Sequence, residues 1–145
     1  MNTLLSALPT LGRLLLGGIF FVFGLNGFLH FAPLPPVEGA AAQFMGGLAA
    51  APYFFPLLKL TEIAVGAALL SNRFVPLALV VLAPITVNIL GFHVLAPAGL
   101  PLALVVLGLH AGLAWFYRAA YAPLLSPKVA QAAPVAEPRV ALEVA

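Results

Sequence analysis

Tyr53-Phe-Phe-Pro-Leu-Leu-Lys-Leu-Thr-Glu-Ile-Ala-Val-Gly-Ala-Ala-Leu-Leu70 is apolar enough for a bilayer, yet it carries Lys59 and Glu62. On a helix, residues three apart share a face and can pair. Gly66 continues that face one turn beyond Glu62. A charge near the middle of a bilayer costs roughly 2.5–3.5 kcal/mol on insertion scales, so such residues usually face a bundle interior or a wet cavity. Two readings follow. Either the pair marks a functional site, or it is a helix-end pair whose lysine snorkels to the headgroups. Glu62 lies deeper and is shorter, which favours the first reading for that residue.

Composition supports a membrane setting for the whole chain. Of its 145 residues 63 % are hydrophobic and 7 % charged, and the mean hydropathy is +1.14. A soluble domain carries about 25 % charged residues, so this chain lacks the polar groups to cover its own surface. The six basic residues are scattered singly, which argues against a nucleic-acid partner. Having no cysteine, the chain cannot form disulfides, thiolate metal sites or Cys-x-x-Cys redox centres of its own.

Working outward, the pattern predicts an all-α integral membrane four-helix bundle, with spans over about 11–31, 53–70, 74–96 and 100–121. A bilayer-crossing helix needs roughly 20 apolar residues. Residues 1–10 read as a short cytoplasmic N-terminus. Ala32-Pro-Leu-Pro-Pro-Val37 must break the first helix. Glu38 to Ala51 is too short to span and reads as an interfacial or re-entrant helix. Pro84 should kink the third span. Trp115, Phe116, Tyr117, Arg118 and Tyr121 form an interfacial belt, and 126–145 reads as a disordered tail. Arg13, Arg73, Arg118, Lys128 and Arg139 all fall on one side of an even number of spans, so the positive-inside rule places both termini in the cytoplasm.

The in-span polar residues then collect toward the external side: Asn26 and His30, Lys59 and Glu62, Asn88 and His93, with His110 near mid-depth. That layer is what a cavity open to the outer face would present, with Asn88 facing inward. Asn88 and His93 are about 140° apart around their helix, which leaves His93 to cap or snorkel. A bis-histidine site from His30 and His93 has no metal-binding spacing to support it. His110 more readily hydrogen-bonds a neighbouring helix than ligates a metal. Gly17, Gly24 and Gly27 lie near Arg13 on another face of the first helix and suit close packing. Gly108 and Gly112 suit packing or a homodimer.

Taken together, Leu11-Gly-Arg-Leu-Leu-Leu-Gly17, Phe23-Gly-Leu-Asn-Gly-Phe-Leu-His-Phe31, Pro56-Leu-Leu-Lys-Leu-Thr-Glu-Ile63 with Gly66, Asn72-Arg-Phe-Val-Pro-Leu-Ala-Leu79, Ala83-Pro-Ile-Thr-Val-Asn-Ile89 with Phe92-His93, and Pro97-Ala-Gly-Leu-Pro101 resemble the DoxX family of small bacterial membrane proteins. The resemblance covers about residues 11–125. It implies a four-helix bundle in the bacterial inner membrane, and links of some members to quinone-dependent redox systems. Similar members often carry lysine where this chain has Gly27.

The leading functional expectation is an accessory or binding subunit without catalysis of its own. Glu62, Lys59, Asn88 and Asn26 would line an outward polar pocket with His30 at its mouth. Its partners would be the lipid bilayer and a membrane redox subunit, with a quinone as the cofactor the resemblance suggests. A small-solute carrier and a structural or assembly factor are the alternatives. No catalytic or cofactor motif is present.

Overall fold

The computed structural model describes residues 2–127. Five α-helices follow in order: α1 (Asn2–Leu29), α2 (Gly39–Ala49), α3 (Phe54–Leu70), α4 (Val75–Leu95) and α5 (Leu100–Phe116). Short 3-10 turns cover Pro97–Gly99 and Arg118–Leu125. Helices α1, α3, α4 and α5 form a ring, each packed on two neighbours in that order. Three segments, Ala7–Leu29, Val75–Leu95 and Pro97–Phe116, are long and apolar enough to cross a membrane. The count rises to four if α2 and α3 make one span, although they meet at 93°.

Several boundaries differ from the sequence expectation. The first helix begins at Asn2 rather than near residue 11, because Pro9 interrupts one hydrogen bond without ending the helix. The last ends at Phe116, short of Tyr121, and the chain tightens into a 3-10 turn that contains Pro123. Helix α4, with Pro84 inside it, keeps to the expected third span within one residue at each end. The tail expected over 126–145, including Lys128 and Arg139, lies outside the described residues from 128 onward.

The core is a layer of aliphatic side chains inside the ring: Leu16 and Phe20 from α1, Leu69 from α3, Leu79 and Leu82 from α4, and Val106 and Leu113 from α5. Helix α2 lies across α3 and α4. It is held by buried Ala41 and by Phe44 against Phe92, with ring centroids 6.2 Å apart.

The seam between α1 and α3 is closest because it is paved with glycine. A Cβ on Gly66 would stand 2.6 Å from the Phe21 nitrogen and 2.9 Å from the Gly17 oxygen. A Cβ on Gly17 would stand 2.9 Å from that of Leu69, and one on Gly24 2.9 Å from the Ile63 nitrogen. Small residues let helix backbones approach this closely where no hydrophobic drive separates protein from lipid. Gly108 and Gly112 differ: a Cβ at either meets open space.

Gly66→Ala should therefore destabilise the detergent-solubilised protein by about 1–3 kcal/mol, the usual cost of overpacking. Gly108→Ala should be neutral or slightly stabilising, since it relieves a helix glycine. Thermal unfolding of the two variants side by side checks both.

Candidate functional site

Helix α3 carries the charged pair as its sequence spacing requires. Lys59 Nζ donates to Glu62 Oε2 at 2.8 Å, with side-chain exposures of 24 % and 6 %. The pair lies on the α1 side of α3. The Gly24 position abuts the Glu62 Cβ, and the Gly27 position abuts the Lys59 stem. Glycine at 27 thus leaves the groove in which the lysine chain lies, and a side chain there would displace it.

The other residues expected around the pair are spent elsewhere. Asn26 is buried, but its amide closes a ring on the chain just past α1. Its Nδ2 donates to the Ala32 oxygen at 2.9 Å, and its Oδ1 accepts from the Ala32 nitrogen at 2.7 Å. The expectation that Asn88 faces inward is not met. It is exposed, and its Nδ2 donates to the Pro84 oxygen one turn back, at 3.0 Å. A local acceptor on its own helix removes the need for a partner across the bundle.

His30 is four residues from Asn26, the spacing of a shared helical face, but the helix stops at Leu29 and the face is not continued. His30 has φ +51, and its backbone N–H donates to the Asn26 oxygen at 2.9 Å. That is the left-handed helix stop usually made by glycine. His93 Nδ1–H donates to the Ile89 oxygen at 2.7 Å, and its ring lies against Gly99. The five-residue pocket therefore reduces to Lys59 and Glu62 on a glycine floor. Among the described residues no group of three or more His, Cys, Asp or Glu is placed to hold a metal ion.

Two polar groups are more deeply built in than the sequence suggests. Arg13 is only 7 % exposed. Its Nη1 donates to the carbonyl of Leu69 and, at 3.0 Å, to that of Leu70. A guanidinium there adds a second donor to the Leu69 carbonyl, which also accepts the Asn72 N–H at 3.2 Å, supplies one to that of Leu70, and opposes the negative end of the α3 dipole. Its sequence signal is position: Arg13, Gly17 and Gly24 fall on one face of α1. The second group is buried Thr86, whose Oγ1 meets His110 Nδ1 at 2.8 Å across the α4–α5 seam.

No family model, curated protein or solved structure matches the chain.

Removing one member of a buried ion pair leaves an uncompensated charge, at a cost of up to about 3–5 kcal/mol. Lys59→Met should approach the lower end of that range, because its ammonium is partly exposed. Lys59→Met with Glu62→Leu should recover most of the loss; equal instability in the single and double variants would contradict an isolated pair. His30→Gly should raise stability by about 0.5–1 kcal/mol, since glycine adopts positive φ without steric cost. Unfolding curves of the variants in one detergent check these values.

Proposed function

We propose that this chain is a DoxX-like four-helix protein of the bacterial inner membrane that serves as an accessory subunit of a larger membrane assembly. Support for the membrane reading comes from the three long apolar helices and the bent fourth. Support for the topology comes from charge: Arg13, Arg73 and Arg118 lie toward the end of the ring where α1 begins and α5 finishes. Gly12 of α1 packs there beside Leu109 and Leu113 of α5. By the positive-inside rule that end is cytoplasmic, and α2 lies at the opposite, outer end.

The observation that carries the accessory reading is how little polar chemistry is left free. Asn26 and Asn88 are each hydrogen-bonded to nearby backbone of their own chain segment. Glu62 is held by Lys59 inside the α1–α3 seam. Of the two charged groups in that cluster, the quarter-exposed Lys59 ammonium is the one offered outward, while the exposed Asn88 amide turns back on its own helix. A catalytic or transport pathway needs more convergent groups than this, whereas a subunit contact needs one anchored charge. The resemblance directs the partner search to quinone-linked redox complexes.

The same sequestration favours a second reading, in which the pair only stabilises the seam of a structural or assembly factor. Mild-detergent purification from native membranes, with mass spectrometry of co-purifying proteins and quinones, separates the two. The accessory reading expects a discrete partner with the wild type and its loss with Glu62→Gln, while membrane insertion is unchanged. Retention of the partner by the Lys59→Glu, Glu62→Lys exchange assigns the pair a structural role. A wild-type chain that purifies without any partner contradicts the proposal.

A further inference from the structure

Away from the charged pair, α3 and α4 diverge along their outward side and leave an apolar groove. Ala64, Val65 and Ala68 form one wall and Leu77, Ala78 and Val81 the other, around a volume of ≈ 420 Å³. The lining is almost entirely methyl and methylene. Its hydroxyl, on Thr61, donates to the Leu57 oxygen of its own helix at 2.8 Å, so the groove offers a partner helix no free donor. Interhelical association in lipid relies on hydrogen bonds or on close packing of small residues. The one small pair here, Ala64 and Ala68, is flanked by Val65, Leu77 and Val81, which hold a second backbone off. The smooth wall instead suits a flexible hydrocarbon chain.

One end of the groove lies at the turn between α3 and α4. Phe74 closes it: the residue has φ +53, and its ring is 75 % exposed. A bulky residue in the left-handed region carries a cost of order 1–3 kcal/mol. Here the tight turn after α3 holds the ring out at the groove rather than in the core.

Next to it in sequence stands Arg73. Four basic residues fall in the described part of the chain, and three are engaged. Arg13 caps α3, Lys59 holds Glu62, and Arg118 lies over the Trp115 ring at 4.8 Å while donating to its backbone oxygen. Arg73 is exposed and, among the described residues, its side chain has no hydrogen bond or ion pair.

We infer that this groove is a binding site for an anionic glycerophospholipid. One acyl chain lies between α3 and α4 against Phe74, and the phosphate pairs with the Arg73 guanidinium. The site lies at the end assigned above to the cytoplasmic leaflet, where a basic residue near the surface attracts anionic lipid. The inference rests on the membrane reading but not on the accessory role, since neither Lys59 nor Glu62 takes part.

The test is lipid retention by the full chain, reconstituted in vesicles of phosphatidylglycerol and phosphatidylcholine at equal amounts, extracted in mild detergent and weighed intact by native mass spectrometry. The wild type should keep one phosphatidylglycerol in clear preference to phosphatidylcholine. Arg73→Gln, an exposed change that leaves the core untouched, should reduce that preference about fivefold, the factor for one basic residue near an anionic surface. Ala68→Phe, which fills the groove, should reduce retention of both lipids, with thermal unfolding used to verify that the variant is folded.

Equal retention of the two lipids by the wild type, or an unchanged preference in Arg73→Gln, overturns the inference. So does a lipid-free dimer whose groove is occupied by a second copy. Partner co-purification is read in the same preparations, so loss of lipid selectivity with the partner retained fails this inference alone. A chain that does not fractionate with membranes fails the membrane reading beneath it.

Discussion

The approach of α1 to α3, backbone against backbone, is the constraint on which the rest of the molecule depends. Gly17 and Gly66 face one another so closely that each carbonyl oxygen lies near where the other residue's Cβ would be, at 3.1 and 2.9 Å. At that separation weak Cα–H···O contacts and dispersion replace the water-driven burial that holds soluble bundles together. The seam sets the position of Leu16, Phe20 and Leu69 in the core. It also fixes which face of α3 points inward, and so where its charged residues must go.

Polar groups clasp this apolar seam toward both of its ends. Toward one, Arg13 reaches from α1 to the last carbonyls of α3. Toward the other, Lys59 and Glu62 close on each other over the Gly24 and Gly27 positions. An ionised side chain in such a setting needs hydrogen-bond partners, and each clasp finds them within the chain: backbone carbonyls for Arg13 and a counter-ion for Glu62. Across the ring, the Thr86–His110 bond joins α4 to α5 in the same manner. Of the polar residues, Arg13 and the Thr86–His110 pair join different helices, whereas Lys59, Glu62 and Asn88 are satisfied within their own segment.

Much of the fold was legible in the sequence because hydropathy and proline placement report directly on helix length. The break at 32–37, the turn at Ser71–Arg73 and the extent of α4 all follow from local rules. The end of α1 at Leu29 comes two residues earlier than the expected 31, at the left-handed His30. The helix termini near Asn2 and Phe116 do not follow those rules, since Pro9 proved compatible with helix and the belt after Trp115 folds into a 3-10 turn. The charged pair could be read from its spacing, and the packing role of Gly17, Gly24 and Gly66 from their faces. The pocket could not be read this way. Asn26 and Asn88 each satisfy backbone groups of their own segment, and His30 leaves the helix in a left-handed turn, outcomes that depth and helical angle cannot distinguish from pointing at a common centre. Arg13 looked like a topology signal because only the end of α3, remote in sequence, gives it a structural role.

The most direct test of this account is disulfide trapping in native membranes, where the absence of natural cysteines makes every cross-link an engineered one. Gly17→Cys with Leu69→Cys brings two Cβ atoms to within about a methyl contact across the seam, 2.9 Å before relaxation, against the 3.5–4.5 Å typical of a disulfide. The account expects this pair to close within one chain on mild oxidation, and Glu62→Cys with Asn88→Cys to remain open. Closure of the second pair with failure of the first would mean that α3 turns its charged face toward α4. The glycine seam and everything built on it would then be wrong.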